Sequence, residues 1–181
     1  MKLIIGRALI LAGVGGMAWS GCVWIRADQE QAVRARALPV VERHTTPDRG
    51  STLGLLEVTR LGLSTVVIEG DDAANLLVAA GHLPDTPLPW QDGNSVIAGH
   101  RDTDFSPLKD IQKGDVVRIR TANKALDYIV RETRIVDPTE VSVLQPTTRP
   151  TLTLITCYPF RYIGPAPKRF VVRAERSAPS G

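Results

Sequence analysis

The spacing of apolar and charged positions divides the chain near residue 26. From Ala8 to Ile25, eighteen consecutive residues carry no charge; Lys2 and Arg7 precede them and Arg26 closes the run. As a helix, such a run is ~27 Å long, close to the ~30 Å hydrocarbon core of a bilayer. The basic residues before it predict a cytoplasmic N-terminus, and Trp19 and Trp24 fall near the far end, where an aromatic belt sits. Residues 1–26 are therefore expected to form a retained membrane anchor. A cleaved signal peptide is the competing reading, but no Ala-x-Ala-like site follows the run. Ser20-Gly21-Cys22 has the outline of a lipoprotein cleavage site, although Trp19 is a poor fit to the small aliphatic residue such sites carry there.

Residues 27–50 form a juxtamembrane linker. Their first part, rich in Ala, Arg, Gln and Glu, suits a continuing helix; the second, through Pro39, Pro47 and Gly50, carries breakers. From Ser51 the pattern becomes that of strands. Residues 53–70 read as two strands turning near Leu61-Gly62. Asp71-Asp72 opens a short helix running to Ala80, with Gly81 after its end. A proline-rich loop leads to a strand ending at His100, and a helical turn is expected between Phe105 and Ile111. Residues 114–137 read as a hairpin turning at Thr121–Lys124, and two further strands end the pattern, 151–157 and 168–176. Many short strands, few helices and no repeat predict an all-β domain over residues 51–176, a closed or nearly closed barrel. Residues 177–181 are expected to be a disordered tail.

Composition narrows the function. The net charge is +3, the arginines are scattered, and there are only three each of Trp, Tyr and Phe. A nucleic-acid-binding surface would carry a stronger basic stripe, so no nucleic-acid partner is expected. Of the two cysteines, Cys22 lies in the apolar run, too remote from Cys157 for a disulfide. The cysteines and histidines lack the spacing of a zinc site. Asp102 and Asp104 alone are a weak cation pair. No metal or cofactor is expected.

Three polar residues sit at the ends of apolar strands: His100 after SVIAG, Cys157 after TLTLIT, and Arg169 before FVV. Strand ends are where a rigid sheet meets solvent, so reactive groups there are both held and reachable. A thiol of pKa ~8.5 is mostly protonated at neutral pH, and a neighbouring cation favours the thiolate nucleophile. An imidazole can protonate a leaving amine and deprotonate an incoming one. A guanidinium can hold a carbonyl or an oxyanion. Cys, His and Arg thus suffice for acyl transfer through a thioester. Arg161 is the rival arginine, four residues after Cys157. Arg101 is expected to point away from the site by strand alternation. Neither His44, in the linker, nor His82, after the helix, is given a catalytic role, and Thr156 is expected to pack or bond locally.

TLTLITCYPF resembles the TLxTC signature of sortases, NSVIAGHRDTDF their histidine segment and APKRFVVRAE the segment carrying their arginine, in the same order. HRDT, TCYPF and APKR look most like class D sortases and their Gram-negative relatives. The resemblance spans roughly Leu53 to Glu175 and implies an eight-stranded closed β-barrel with His100, Cys157 and Arg169 as the catalytic set. It implies a transpeptidase that cleaves an LPxTG-like sorting signal of a secreted protein and passes the acyl chain to an amine. The implied setting is the cell (inner) membrane, with the barrel outside the cytoplasm. Two positions depart from the pattern: Asp104, where relatives often carry a bulky aromatic, and Trp90, where a glycine is common. Both bear on substrate preference more than on catalysis. Two other functions compete. An L,D-transpeptidase would place its cysteine in a Ser-x-Gly-Cys-like context, which Leu-Ile-Thr-Cys-Tyr-Pro is not. A non-catalytic envelope β-domain binding a peptide as an added strand would need no reactive Cys157.

Overall fold

The computed structural model describes residues 17, 19–21, 25–41 and 46–177. Most of the apolar run, Cys22 and His44 lie outside the described residues. No helix among the described residues is long and apolar enough to cross a membrane. Residues 25–36 are helical and form α1.

Eight strands close a barrel in the order β1-β2-β3-β4-β7-β8-β6-β5. They are β1 (Thr52–Val58), β2 (Leu63–Glu69), β3 (Ala80–His82), β4 (Asn94–Ala98), β5 (Val116–Arg120), β6 (Ala125–Val136), β7 (Thr151–Tyr158) and β8 (Lys168–Arg176). Closure leaves no free sheet edge. Strand residues facing inward fill the interior: Leu56, Val67, Ile97, Val117, Leu152, Leu154 and Val172 belong to one buried cluster. A second, outer cluster of Leu55, Val66, Ile68 and Ala79 is covered by Ala35 of α1 and by Leu38. A third, Val136, Val143 and Val171, lies under the 3-10 turn Val141–Leu144. That turn has no signal in the apolar pattern.

The helix expected from Asp71 to Ala80 is much shorter. Asp72 caps it as foreseen, its side chain accepting from the Ala74 and Asn75 N–H groups, but α2 covers only Ala73–Leu76. After a turn over residues 77–79 the chain instead forms β3, parallel to β2 with Glu69 opposite His82. Tertiary contacts override the helical propensity of Leu-Leu-Val-Ala-Ala there. His82 is buried with Nδ1 2.8 Å from Glu69 Oε2 and Nε2 3.1 Å from Pro87 O, so it is a satisfied core histidine. At Gly81 a Cβ would lie 2.5 Å from Gly70 O, a backbone approach only glycine permits.

The linker wraps the barrel. Arg34 Nη1 donates to Gly50 O at 2.9 Å. Ala122 N–H donates to Pro39 O, and Asn123 bonds both the N–H and C=O of Val41. At the other end of the chain, Ser177 donates its N–H and its hydroxyl to Asp127 O.

Candidate active site

Cys157 lies on β7 and Arg169 on the adjacent β8, while His100, expected to end a strand, lies two residues past the end of β4, the other neighbour of β7. β4 and β7 run parallel, from Asn94 opposite Thr151 to Ala98 opposite Ile155. The ladder then continues past β4: Gly99 N–H donates to Ile155 O at 3.1 Å, and the Thr156 hydroxyl donates to Gly99 O at 2.7 Å. His100 and Cys157 are the next residue on each side of this latch. Thr156, expected to bond locally, thus binds the cysteine strand to the histidine segment. β7 and β8 are antiparallel, and Cys157 stands directly opposite Arg169. Residues so paired place their Cβ atoms about 5 Å apart on one face of the sheet.

His100 is exposed, while Cys157 and Arg169 are half-buried. Cys157 is a free thiol. Arg169 Nη1 donates to Lys168 O at 3.0 Å and to Ala166 O at 3.3 Å. This holds one corner of the guanidinium against its own loop, and a guanidinium has further N–H donors to offer. Arg161 is exposed in the turn that follows β7 and is not in register with Cys157. The neighbouring residues Tyr158, Phe160 and Phe170 pack on one another with ring centroids 5.3–6.4 Å apart, in edge and stacked geometries that aromatic pairs favour, and Phe160 and Phe170 rest against the main core.

His100 opens a tight loop. Phe105 N–H donates to His100 O at 2.9 Å, and the Phe105 ring is fully buried in the main core. A Cβ on Gly99 would come within 2.8 Å of that ring, so the glycine lets the ring pass beneath the histidine.

Arg101 does not point idly away. Its guanidinium donates to Pro159 O (3.0 Å) and Tyr162 O (2.9 Å), and its Cζ lies 5.8 Å from the centre of the Tyr162 ring. It ties the histidine segment to the loop between Cys157 and Arg169. No sequence signal could have shown this, because its hydrogen-bond partners are backbone carbonyls. Of the two departures from the sortase pattern, Trp90 is buried in the main core, and Asp104 accepts from Gln31 of α1 and from Thr65. Among the described residues no group of three or more His, Cys, Asp or Glu side chains gathers as a metal site would.

Residues 56–177 match the family model of the Sortase domain. The chain belongs to the sortase family. It is 35% identical over 131 residues to Sortase D of Bacillus subtilis, an alignment covering 72% of this chain and 66% of that protein. The chain thus spans just under two thirds of that relative's length. Among solved structures it is similar to a Clostridium perfringens Sortase D5 transpeptidase, with a TM-score of 0.66 and 27% identity over 72% of this chain and 82% of that one. It is also similar to a Clostridium perfringens sortase C solved with the C-terminal cell wall sorting motif, with a TM-score of 0.65 and 27% identity over 76% and 79% of the two chains. The sequence-based assignment to this family, and the eight-stranded barrel it implied, agree with the observed fold.

Proposed function

We propose that this sortase is a membrane-anchored cysteine transpeptidase acting on secreted proteins that carry an LPxTG-like sorting signal. The observation that carries this reading is the pairing of Cys157 with Arg169 beside the latched end of the His100 strand. The sorting motif in the Clostridium perfringens sortase C structure supports the substrate class.

In the proposed reaction the Cys157 thiolate attacks a peptide carbonyl, and Arg169 donates to the oxyanion as it develops. The imidazolium of His100 gives its proton to the leaving amine as the amide bond breaks, leaving a thioester on Cys157. Neutral His100 then takes a proton from an incoming amine as that amine attacks the thioester. Collapse of this second oxyanion expels the Cys157 thiolate and forms the new amide, with the proton taken from the amine left on His100. No second nucleophile and no metal is needed.

The anchor reading rests on the uncharged run behind Lys2 and Arg7. Full-length chain should fractionate with the membrane, and externally added (or periplasmic) protease should reach the barrel. A barrel shielded on the cytoplasmic side would contradict this topology.

The enzymatic reading is tested with an LPxTG-like peptide and a panel of amines. Cleavage with formation of a new amide, abolished by Cys157→Ala, supports it. Cleavage that survives Cys157→Ala refutes it. Specific peptide binding with no turnover under any amine would favour the peptide-binding domain instead.

A further inference from the structure

α1 and the His100 loop together wall a cleft of about 690 Å³, lined by Ala27, Asp28 and Gln31 on one side, Ser64 below, and His100 and Asp104 on the other. The contact across it is specific. Gln31 Nε2 donates to Asp104 Oδ1 at 2.7 Å, and Gln31 Oε1 accepts from Val66 N–H and from the Thr65 hydroxyl, each at 3.3 Å. The Thr65 hydroxyl also reaches Asp104 Oδ1 at 2.8 Å, and Thr65 is 2% exposed. Both ends of the Gln31 amide are therefore engaged, one on the loop and one on β2.

We infer that Gln31 and Asp104 are positioning residues for His100, making α1 part of the catalytic unit rather than a passive tether. The loop from His100 to Phe105 closes on itself through the Phe105 N–H to His100 O bond, with Phe105 anchored in the core. Arg101 fixes the side of the loop facing the cysteine segment. Asp104 is the attachment on the other side, held by Gln31 of α1, outside the barrel, and by the Thr65 hydroxyl of β2. Releasing it frees the segment that carries the imidazole without touching Cys157 or Arg169. The inference rests on the reading of His100 as the acid/base.

The test uses the full-length chain in detergent or native membranes, with kcat and KM for peptide cleavage and the melting temperature of each variant. Wild-type turnover is first shown to need both Cys157 and His100. If it does not, the catalytic reading fails, and the inference fails with it. Given that need, Gln31→Ala and Asp104→Ala should each lower kcat roughly tenfold, as misplacing a catalytic group does, with KM changed less than about twofold. The double variant should be no worse than Asp104→Ala alone, because that substitution already removes the contact Gln31 makes to the loop. Asp104→Asn keeps an acceptor oxygen for Gln31 and Thr65 and should recover most of the activity. Wild-type kcat in Gln31→Ala, additive losses in the double variant, or losses that follow the melting temperature and are not rescued by Asp104→Asn would each overturn the inference while leaving the catalytic reading in place.

Discussion

Cys157 and Arg169 face each other across the β7–β8 ladder as direct antiparallel partners. The pairing is a matter of strand register, so the ladder, and not the loop between the two strands, sets their relation. Twelve positions separate them in the sequence, and the turn at residues 159–167 closes that gap. A one-residue slip of β8 would move Arg169 to the opposite face of the sheet.

This register separates the two candidate arginines. Arg169→Lys should fall well below wild type in kcat, because an ammonium cannot reproduce the guanidinium fork. Arg161→Ala, in the exposed turn, should stay within a few-fold. Steady-state cleavage of a sorting-signal peptide checks both. A crippled Arg161→Ala beside an unaffected Arg169→Ala would reverse the assignment.

Arg101 gives a second expectation. Arg101→Ala removes both carbonyl contacts that join the histidine segment to the turn after Cys157. Activity should drop by about tenfold or more, and the turn at 159–164 should become more sensitive to protease. Arg101→Lys should recover only part, because one ammonium cannot span both carbonyls as the fork does.

The packing under His100 is testable by stability and activity together. Phe105→Ala empties a fully buried site in the main core and should cost about 3–5 kcal/mol. Gly99→Ala places a methyl group against the Phe105 ring. It should shift the histidine loop and lower kcat more than its loss of stability explains. Chemical denaturation and peptide turnover, measured on the same preparations, separate the two effects.

Acid should loosen the barrel through two surface pairs. The hydrogen bond from Arg60 holds the Asp115 carboxyl below its ordinary value, and the one from Arg118 does the same for Asp127. A carboxyl whose folded value is depressed stabilises the fold above its unfolded pKa of ~3.9, and that contribution is lost as pH falls through the lower folded value. Urea midpoints should therefore decline below about pH 4. Asp115→Asn should lower stability at neutral pH and flatten the acid decline; a parallel decline in this variant would contradict the assignment.

Much of this site was legible in the sequence because each candidate side chain ends or begins an apolar strand. That position made His100, Cys157 and Arg169 candidates, the sortase resemblance of APKR set Arg169 above Arg161, and the barrel was legible in its many short strands. β3 was not legible: Ala80 and Gly81 follow a helical pattern, and the Glu69–His82 pair and the close approach at Gly81, which hold them against β2, lie outside any local pattern. Arg101 and Gln31 were equally hidden. Arg101 acts on backbone carbonyls, which every residue has. Gln31 acts on an aspartate 73 positions away, a distance no local pattern bridges.

The central claim, a thioester on Cys157, is tested most directly by intact-protein and peptide mass spectrometry of the enzyme quenched during turnover of an LPxTG-like peptide. The account predicts one adduct with the mass of the cleaved acyl fragment, located on Cys157. Added amine should discharge it into a new amide, with ping-pong kinetics. An adduct on any other residue, or cleavage by Cys157→Ala, would contradict it.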